Sequence, residues 1–171
     1  MNFRFNYDAL LVCGKSGAGK TTNLIKPLIA SVPRSKVFVV DSNFEFPNLP
    51  PENRIRPLDY SAKWLDSFIS DFRRKHIDCL LIIEDLDMFD PLQSKELKKL
   101  CVNGRHQNIG LIVVSRRILG IPKVVVMKMR YIAIFRGLSP EDRDYLEEIN
   151  PDFGKLQFPV QDFKYVIVEN P

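Results

Sequence analysis

Three glycines, two lysines and two threonines sit together in Gly14-Lys15-Ser16-Gly17-Ala18-Gly19-Lys20-Thr21-Thr22, and their spacing fits GxxxxGK[ST] at every required position. Glycine at these places lets the backbone curl until successive N–H groups converge on one point, at the positive end of the helix that follows. Such a cradle suits phosphate oxygens. Lys20 adds a point charge for the β- and γ-phosphates, and the Thr21 hydroxyl is a ligand for Mg2+. The chemistry on offer is the binding of a nucleoside triphosphate, ATP with Mg2+, along Gly14 to Thr22. A second chemical group closes the apolar run Leu80-Leu81-Ile82-Ile83: the acids Glu84, Asp85 and Asp87. A carboxylate at a strand's carboxyl end reaches the metal shell, directly or through a water, and its neighbour can orient or deprotonate an attacking water. Position makes Glu84 the metal-site acid and Asp85 the base, with Asp87 the weaker stand-in for either.

These groups need a scaffold that brings their two loops together. Asp8 to Cys13 reads as a buried strand, and the glycine loop leads into a helix whose Leu24, Ile25, Leu28 and Ile29 share a face, with Pro27 set to kink or shorten it. Lys36 to Asp41 is a second apolar strand, and two such strands joined by a helix imply a parallel sheet with right-handed crossovers. Ser42 to Tyr60, rich in Pro and Asn, reads as loop. Ser61 caps an amphipathic helix with Trp64, Leu65, Phe68, Ile69 and Phe72 on its core stripe. Cys79 to Ile83 is the strand that ends in the acids. A helix over roughly Leu92 to Val102, strands at Ile109 to Val114 and Tyr131 to Phe135, and a helix capped by Ser139-Pro140-Glu141-Asp142 follow. Phe163 to Val168 is a last strand, with Lys155 to Val160 as a hairpin partner for it. The fold class is α/β, a three-layer P-loop NTPase with a mainly parallel sheet flanked by helices. Residues 1–171 form one domain, with a C-terminal strand or hairpin at about 155–168.

The totals agree. A chain of 171 residues, 45% of them hydrophobic, can bury one substantial core. Its apolar runs fall far short of the roughly twenty residues that cross a bilayer, so the expectation is a soluble, intracellular protein without a membrane segment. Cys13, Cys79 and Cys101, odd in number and beside apolar segments, read as reduced core residues. The net charge of +4 is unevenly spread: ten Lys and Arg against the single acid Glu96 from Pro91 to Gly137, then eight acids against Arg143, Lys155 and Lys164. Such segregation suggests a basic surface for a polyanion.

One whole strand separates the phosphate loop from the acids, as in P-loop proteins of the RecA-like (ASCE) group, which usually hydrolyse the γ-phosphoryl bond. Ser115, at the tip of the next strand, would then hold the place of a polar γ-phosphate sensor. Hydrolysis of this kind also needs a cation for transition-state charge. Arg105, before that strand, is the first candidate for an arginine finger, acting in trans within a ring or dimer; Arg116, Arg117 and Arg136 compete with it.

The order of parts resembles the FtsK/HerA superfamily of DNA-pumping ATPases, and in particular its small viral genome-packaging members. VFVVDSNFEF is similar to that superfamily's strand ending in an aspartate with an acid-aromatic pair beyond it, here Glu45-Phe46. GRHQNIGLIVVSRR resembles its Arg-containing turn, strand and sensor, and MRYIAIFRGLSPEDRDYLEEI its next strand and acidic helix, so the likeness runs from Tyr7 to Ile149. Two positions depart from the pattern: the acids run Glu-Asp where Asp-Glu is typical, which leaves their division of labour open, and Ser115 stands where many members carry glutamine. The resemblance implies a homo-oligomeric ring that threads double-stranded DNA without reading its sequence, with a capsid or portal protein as partner, in a host cytoplasm or on a virion. Arg116, Arg117, Lys123 and Lys128 are the implied DNA contacts. Two alternatives stay open: a small-molecule or nucleotide kinase, which predicts an Arg-rich lid that the basic Leu111 to Arg136 stretch could mimic, and an assembly or secretion protein that uses ATP as a switch.

Overall fold

The structure, a computed structural model, describes residues 1–170. Seven strands form one sheet: β1 (Ala9–Cys13), β2 (Val37–Val40), β3 (Arg54–Ile55), β4 (Cys79–Ile83), β5 (Ile109–Ser115), β6 (Tyr131–Phe135) and β7 (Tyr165–Glu169). Their order across the sheet is β3-β2-β4-β5-β1-β6-β7, and every pairing is parallel except β6 with β7. This is the α/β, mainly parallel architecture expected. β1, β4, β5 and β6 are nearly continuous apolar runs because both of their faces are covered.

Alternate residues of each strand serve opposite faces. Leu11, Leu81, Ile83, Leu111, Val113, Ile132 and Ile134 pack against α2 (Ala62–Lys75), α3 (Lys95–Asn103), α4 (Lys123–Lys128) and α5 (Pro140–Ile149), which contribute Leu65, Ile69, Leu97, Leu100, Val125, Val126 and Leu146. Leu10, Val12, Leu80, Ile82, Ile112, Val114 and Phe135 face the other way, and there the cover is thin. It consists of Leu24 and Ile25 from the helix after the phosphate loop, Phe46 and Leu49 from the turn after β2, and Phe3 and Phe5 near the start of the chain. That helix opens as a π-helix over Lys20–Ile25 and continues as the four-residue α1 (Lys26–Ile29). Pro27, which has no N–H to extend the ladder, stands inside α1, and the helix ends at Ile29.

Local signals set the helix starts. Ser61 accepts the Trp64 amide at 3.0 Å, and Ser139 and Asp142 form a reciprocal capping box. Of the aromatic stripe on α2, Phe72 is buried with Leu65 and Ile69, while Trp64 and Phe68 stack on each other at 5.4 Å and stay half-buried. α3 starts at Lys95 rather than near Leu92, because Ser94 caps it and Asp66 takes the amides of Lys95 and Glu96.

Three readings of the sequence are corrected. The Pro- and Asn-rich stretch after β2 contains β3, which pairs with Val39 and Val40, and the Asn53 amide ties it down by donating to the carbonyls of Arg34 and Val37. β7 has no hairpin partner in Lys155 to Val160, where a 3-10 turn over Pro151–Lys155 runs into irregular chain; it lies antiparallel to β6 along five residue pairs. The basic Leu111 to Arg136 stretch is β5, α4 and β6, two of them flanking β1, so it is scaffold and no lid. Cys13, Cys79 and Cys101 are all free thiols, and burial pushes Cys79 and Cys101 up to about 12.

Among the described residues no helix is long and apolar enough to cross a membrane.

Candidate active site

Strand order brings the chemistry to one edge. β5 lies between β1 and β4, and register sets Cys13 beside Ser115 and Ile83 beside Val113, so the phosphate loop, Glu84 and the tip of β5 emerge almost level. The loop is strung between its neighbours: the Gly14 amide donates to Ser115 O at 3.3 Å and the Lys15 amide to Arg136 O at 3.0 Å. Gly14 takes φ 140° there, and a Cβ would stand 2.6 Å from that of Phe135, so only glycine fits. The Lys20 ammonium donates to the carbonyls of Gly14 at 2.7 Å and Lys15 at 3.0 Å, which arches the loop over its own side chain.

Thr21 and Glu84 come together, hydroxyl to carboxyl oxygen at 3.5 Å. Two cis ligands of an octahedral Mg2+ at 2.0–2.1 Å are about 3 Å apart, so this pair fits the ion with a small closure. When bound, the ion neutralises charge on phosphate oxygens. Glu84 is 5% exposed, and burial first, then the nearby acids Glu45 and Asp85, push its carboxyl up to about 8. The proton is therefore held more tightly folded than unfolded, where the usual value is 4.5. Stability contributed here is present below pH 4.5 and lost as pH rises toward 8. Without nucleotide or Mg2+, Glu84→Gln is expected to leave the melting temperature nearly unchanged at the acid end of that range and to raise it by several degrees above pH 8. Melting curves of both proteins across that range are the check.

Asp85 has left-handed backbone, φ 49°, and accepts the Asn43 amide at 2.7 Å. Asn43 and Glu45 reach the site because buried Asp41 accepts the amides of Glu45 and Phe46, which folds the chain back after β2. Neither had a role in the sequence reading. Glu45 was visible only as half of an acid-aromatic pair, and Asn43 carries no signal of its own.

Ser115 is fully buried, and its hydroxyl points at Asp87 (3.2 Å) and closely at the Arg117 carbonyl. Asp87 also pairs with Arg116 at 2.7 Å, and Arg116 lines the phosphate cleft. The side chain at the tip of β5 that opens onto the cleft is thus Arg116, held by Asp87, and the Ser115 hydroxyl is turned to Asp87 and the Arg117 carbonyl instead. Asp142 supports the same turn by accepting the amides of Ile118 (2.9 Å) and Leu119 (2.8 Å).

The remaining cations are dispersed. Arg117 lies 3.7 Å from Asp142, and Lys123 is 2.6 Å from Glu148. Arg130 bridges Asp8 and Glu169, and Arg136 pairs with Asp162. Four cations of the basic stretch, Arg117, Lys123, Arg130 and Arg136, thus pair with four acids of the tail that stands apart from it in sequence. Lys128 and Arg105 line a cavity of about 610 Å³ at the amino-terminal ends of the strands. Arg105 precedes β5 by several residues, so about 20 Å of strand separates it from its own phosphate loop. The four candidate DNA contacts therefore do not form one patch.

The cleft framed by Ser16, Lys20, Thr21, Glu84 and Arg116 holds about 190 Å³. Three other cavities are larger, two of about 610 Å³ and one of about 300 Å³, but none contains the phosphate loop, Glu84 or Asp85, and chemistry rather than volume selects the site.

No known family profile matches the sequence, and no curated protein matches it. Solved structures do. The genome packaging NTPase B204 of Sulfolobus turreted icosahedral virus 2, in complex with ATP-γ-S, superposes with a TM-score of 0.79 at 13% identity, over 98% of this chain and 94% of that one. This is a P-loop NTPase fold. B204 from Sulfolobus turreted icosahedral virus, a DNA-packaging ATPase, gives 0.74 at 14% identity, over 95% and 92% of the two chains. EssC (ATPases 2 and 3) of Geobacillus thermodenitrificans gives 0.64 at 11% identity, over 96% of this chain but 38% of that one. The P-loop NTPase fold accounts for the switch between parallel neighbours at β1, where such sheets carry ligands beyond their carboxyl ends.

Proposed function

We propose that this protein hydrolyses ATP with Mg2+ to move double-stranded DNA, as a genome-packaging motor does. The observation that carries the reading is the meeting of phosphate loop, Glu84 and Asp85 at one sheet edge, in a fold shared end to end with a viral packaging NTPase. Backbone amides from Gly14 to Thr22 hold the phosphates. Thr21 and Glu84 would hold Mg2+, which would supply positive charge to the phosphates. Asp85 takes a proton from the attacking water as its oxygen bonds to the γ-phosphorus and the bond to the β-phosphate oxygen breaks. Lys20 and Arg116 face the equatorial oxygens.

The active unit is a homo-oligomeric ring. Arg105 stands too far from its own site to act there, which supports its serving as the finger of a neighbouring subunit. Of the four implied DNA contacts, Arg117 and Lys123 remain proposed, because Arg116 is given to the nucleotide and Lys128 lies at the opposite ends of the strands. The ion pairs of Arg117 and Lys123 are half open to solvent on the basic side, and exposed pairs are worth about 1 kcal/mol or less, so phosphate can displace the acid. A capsid or portal protein would seat the ring, in a host cytoplasm or on a virion.

Phosphate release in the presence and absence of duplex DNA tests this. Turnover is expected to rise with duplexes of any sequence, and the DNA affinity to fall roughly a hundredfold between 50 and 200 mM salt, the loss that about four phosphate contacts produce. Phosphoryl transfer to a nucleoside monophosphate, with no effect of DNA, would replace the motor by a kinase.

A further inference from the structure

The turn before β7 touches the phosphate loop. The Phe163 amide donates to Ala18 O at 3.1 Å, the residue has left-handed backbone (φ 64°), and Asp162 beside it is held by Arg136. Arg136 in turn supplies the carbonyl that receives the Lys15 amide, so the turn and the loop share one anchor. The aromatic ring lies over Gly19: a Cβ there would come within 2.6 Å of Phe163 Cδ1, so the glycine that precedes Lys20 is also required by this ring. Yet the Phe163 side of the site is open, with 59% of the residue exposed.

Phe163 lines the polar cleft, and its fixed backbone holds an open phenyl ring at the rim. The cleft itself, at about 190 Å³, is below the roughly 300–1,000 Å³ of sites that enclose whole small molecules. It takes the phosphates and leaves the sugar and base outside. We propose that Phe163 is the platform on which the nucleobase stacks, so that the base is read by a residue of the C-terminal turn while the phosphates are read by the loop after β1. Stacking on a phenyl face uses the π-surface common to all bases, and purines offer more of it than pyrimidines. The site would therefore favour purine nucleotides and discriminate weakly between ATP and GTP.

This inference rests on the reading of the site as a nucleoside triphosphate site, and the two fail differently. Binding of ATP and of inorganic tripolyphosphate, both with Mg2+, is compared for the wild type, Phe163→Ala and Phe163→Trp. Phe163→Ala should weaken ATP about tenfold and leave tripolyphosphate unchanged. Phe163→Trp should keep ATP affinity and show indole fluorescence quenched by ATP but not by tripolyphosphate. Equal loss of both ligands in Phe163→Ala would make the ring a support for the loop, and no loss of either would make it a bystander; each overturns the platform while leaving the phosphate site intact. A wild type that binds neither ligand removes the nucleotide site itself and the platform with it.

Discussion

Lys20→Ala is expected to lower ATP turnover by about 10²- to 10³-fold, the usual cost of deleting one preorganised charge aimed at the transition state. Its ammonium sits in the arch of the loop, 2.7 and 3.0 Å from two carbonyls, and needs only a small swing to exchange one of them for a phosphate oxygen. Burial draws its pKa down, and the acids Glu84 and Asp85 oppose that shift. Loss of the side chain therefore removes both a ligand for phosphate and the local balance to two carboxyl groups. Steady-state phosphate release gives the number, and a melting curve within a few degrees of wild type shows that the loop's scaffold survives. Wild-type turnover in Lys20→Ala would dismantle the proposed chemistry at its root.

Asp85→Asn separates the two acids. Removing a general base costs about 10²- to 10⁴-fold, and ATP should still bind, because the phosphate loop and the Thr21–Glu84 pair are untouched. Asparagine tolerates left-handed backbone almost as well as any residue but glycine, so φ 49° at this position is preserved and the variant folds. Single-turnover phosphate release with equilibrium ATP binding is the measurement. If turnover persists, Glu84 or Glu45 is the base; if DNA-linked function persists while turnover is gone, ATP serves as a switch. The order Glu-Asp thus receives a physical reading: the first acid lies beside the Thr21 hydroxyl under the loop, and the second stands beyond the strand on a turn held by Asn43.

The parts of this site that are legible in the sequence are those whose physics is local. A glycine loop between a strand and a helix, acids at the end of an apolar run and a Ser-Pro-Glu-Asp cap each carry their reason within a few residues. Those that escape depend on contacts across the fold. Phe163 reaches Ala18 from the far end of the chain, and nothing around Phe163 marks it as more than a loop aromatic. Ser115 has the position of a sensor, but Asp87, fixed in space by the turn after β4, takes its hydroxyl and sends Arg116 forward instead. The charge asymmetry is reduced in space for the same reason, since Glu148, Asp142, Asp162 and Glu169 fold back onto four cations of the basic stretch. β3 is invisible because two residues set no period, and β7 chose β6 over Lys155 to Val160, where Pro159 lacks a ladder donor.

The unequal cover of the two sheet faces ties nucleotide capture to cohesion of the molecule. Four helices close one side, whereas the other depends on Leu24 and Ile25, carried by the helix whose first residues grip phosphate. Whatever pins that helix start also pins part of the thinner cover, and a bound ligand becomes mortar for the wall behind it. Thinning of that flank, as by Leu24→Ala, would then be felt at the phosphate loop as well as in the interior.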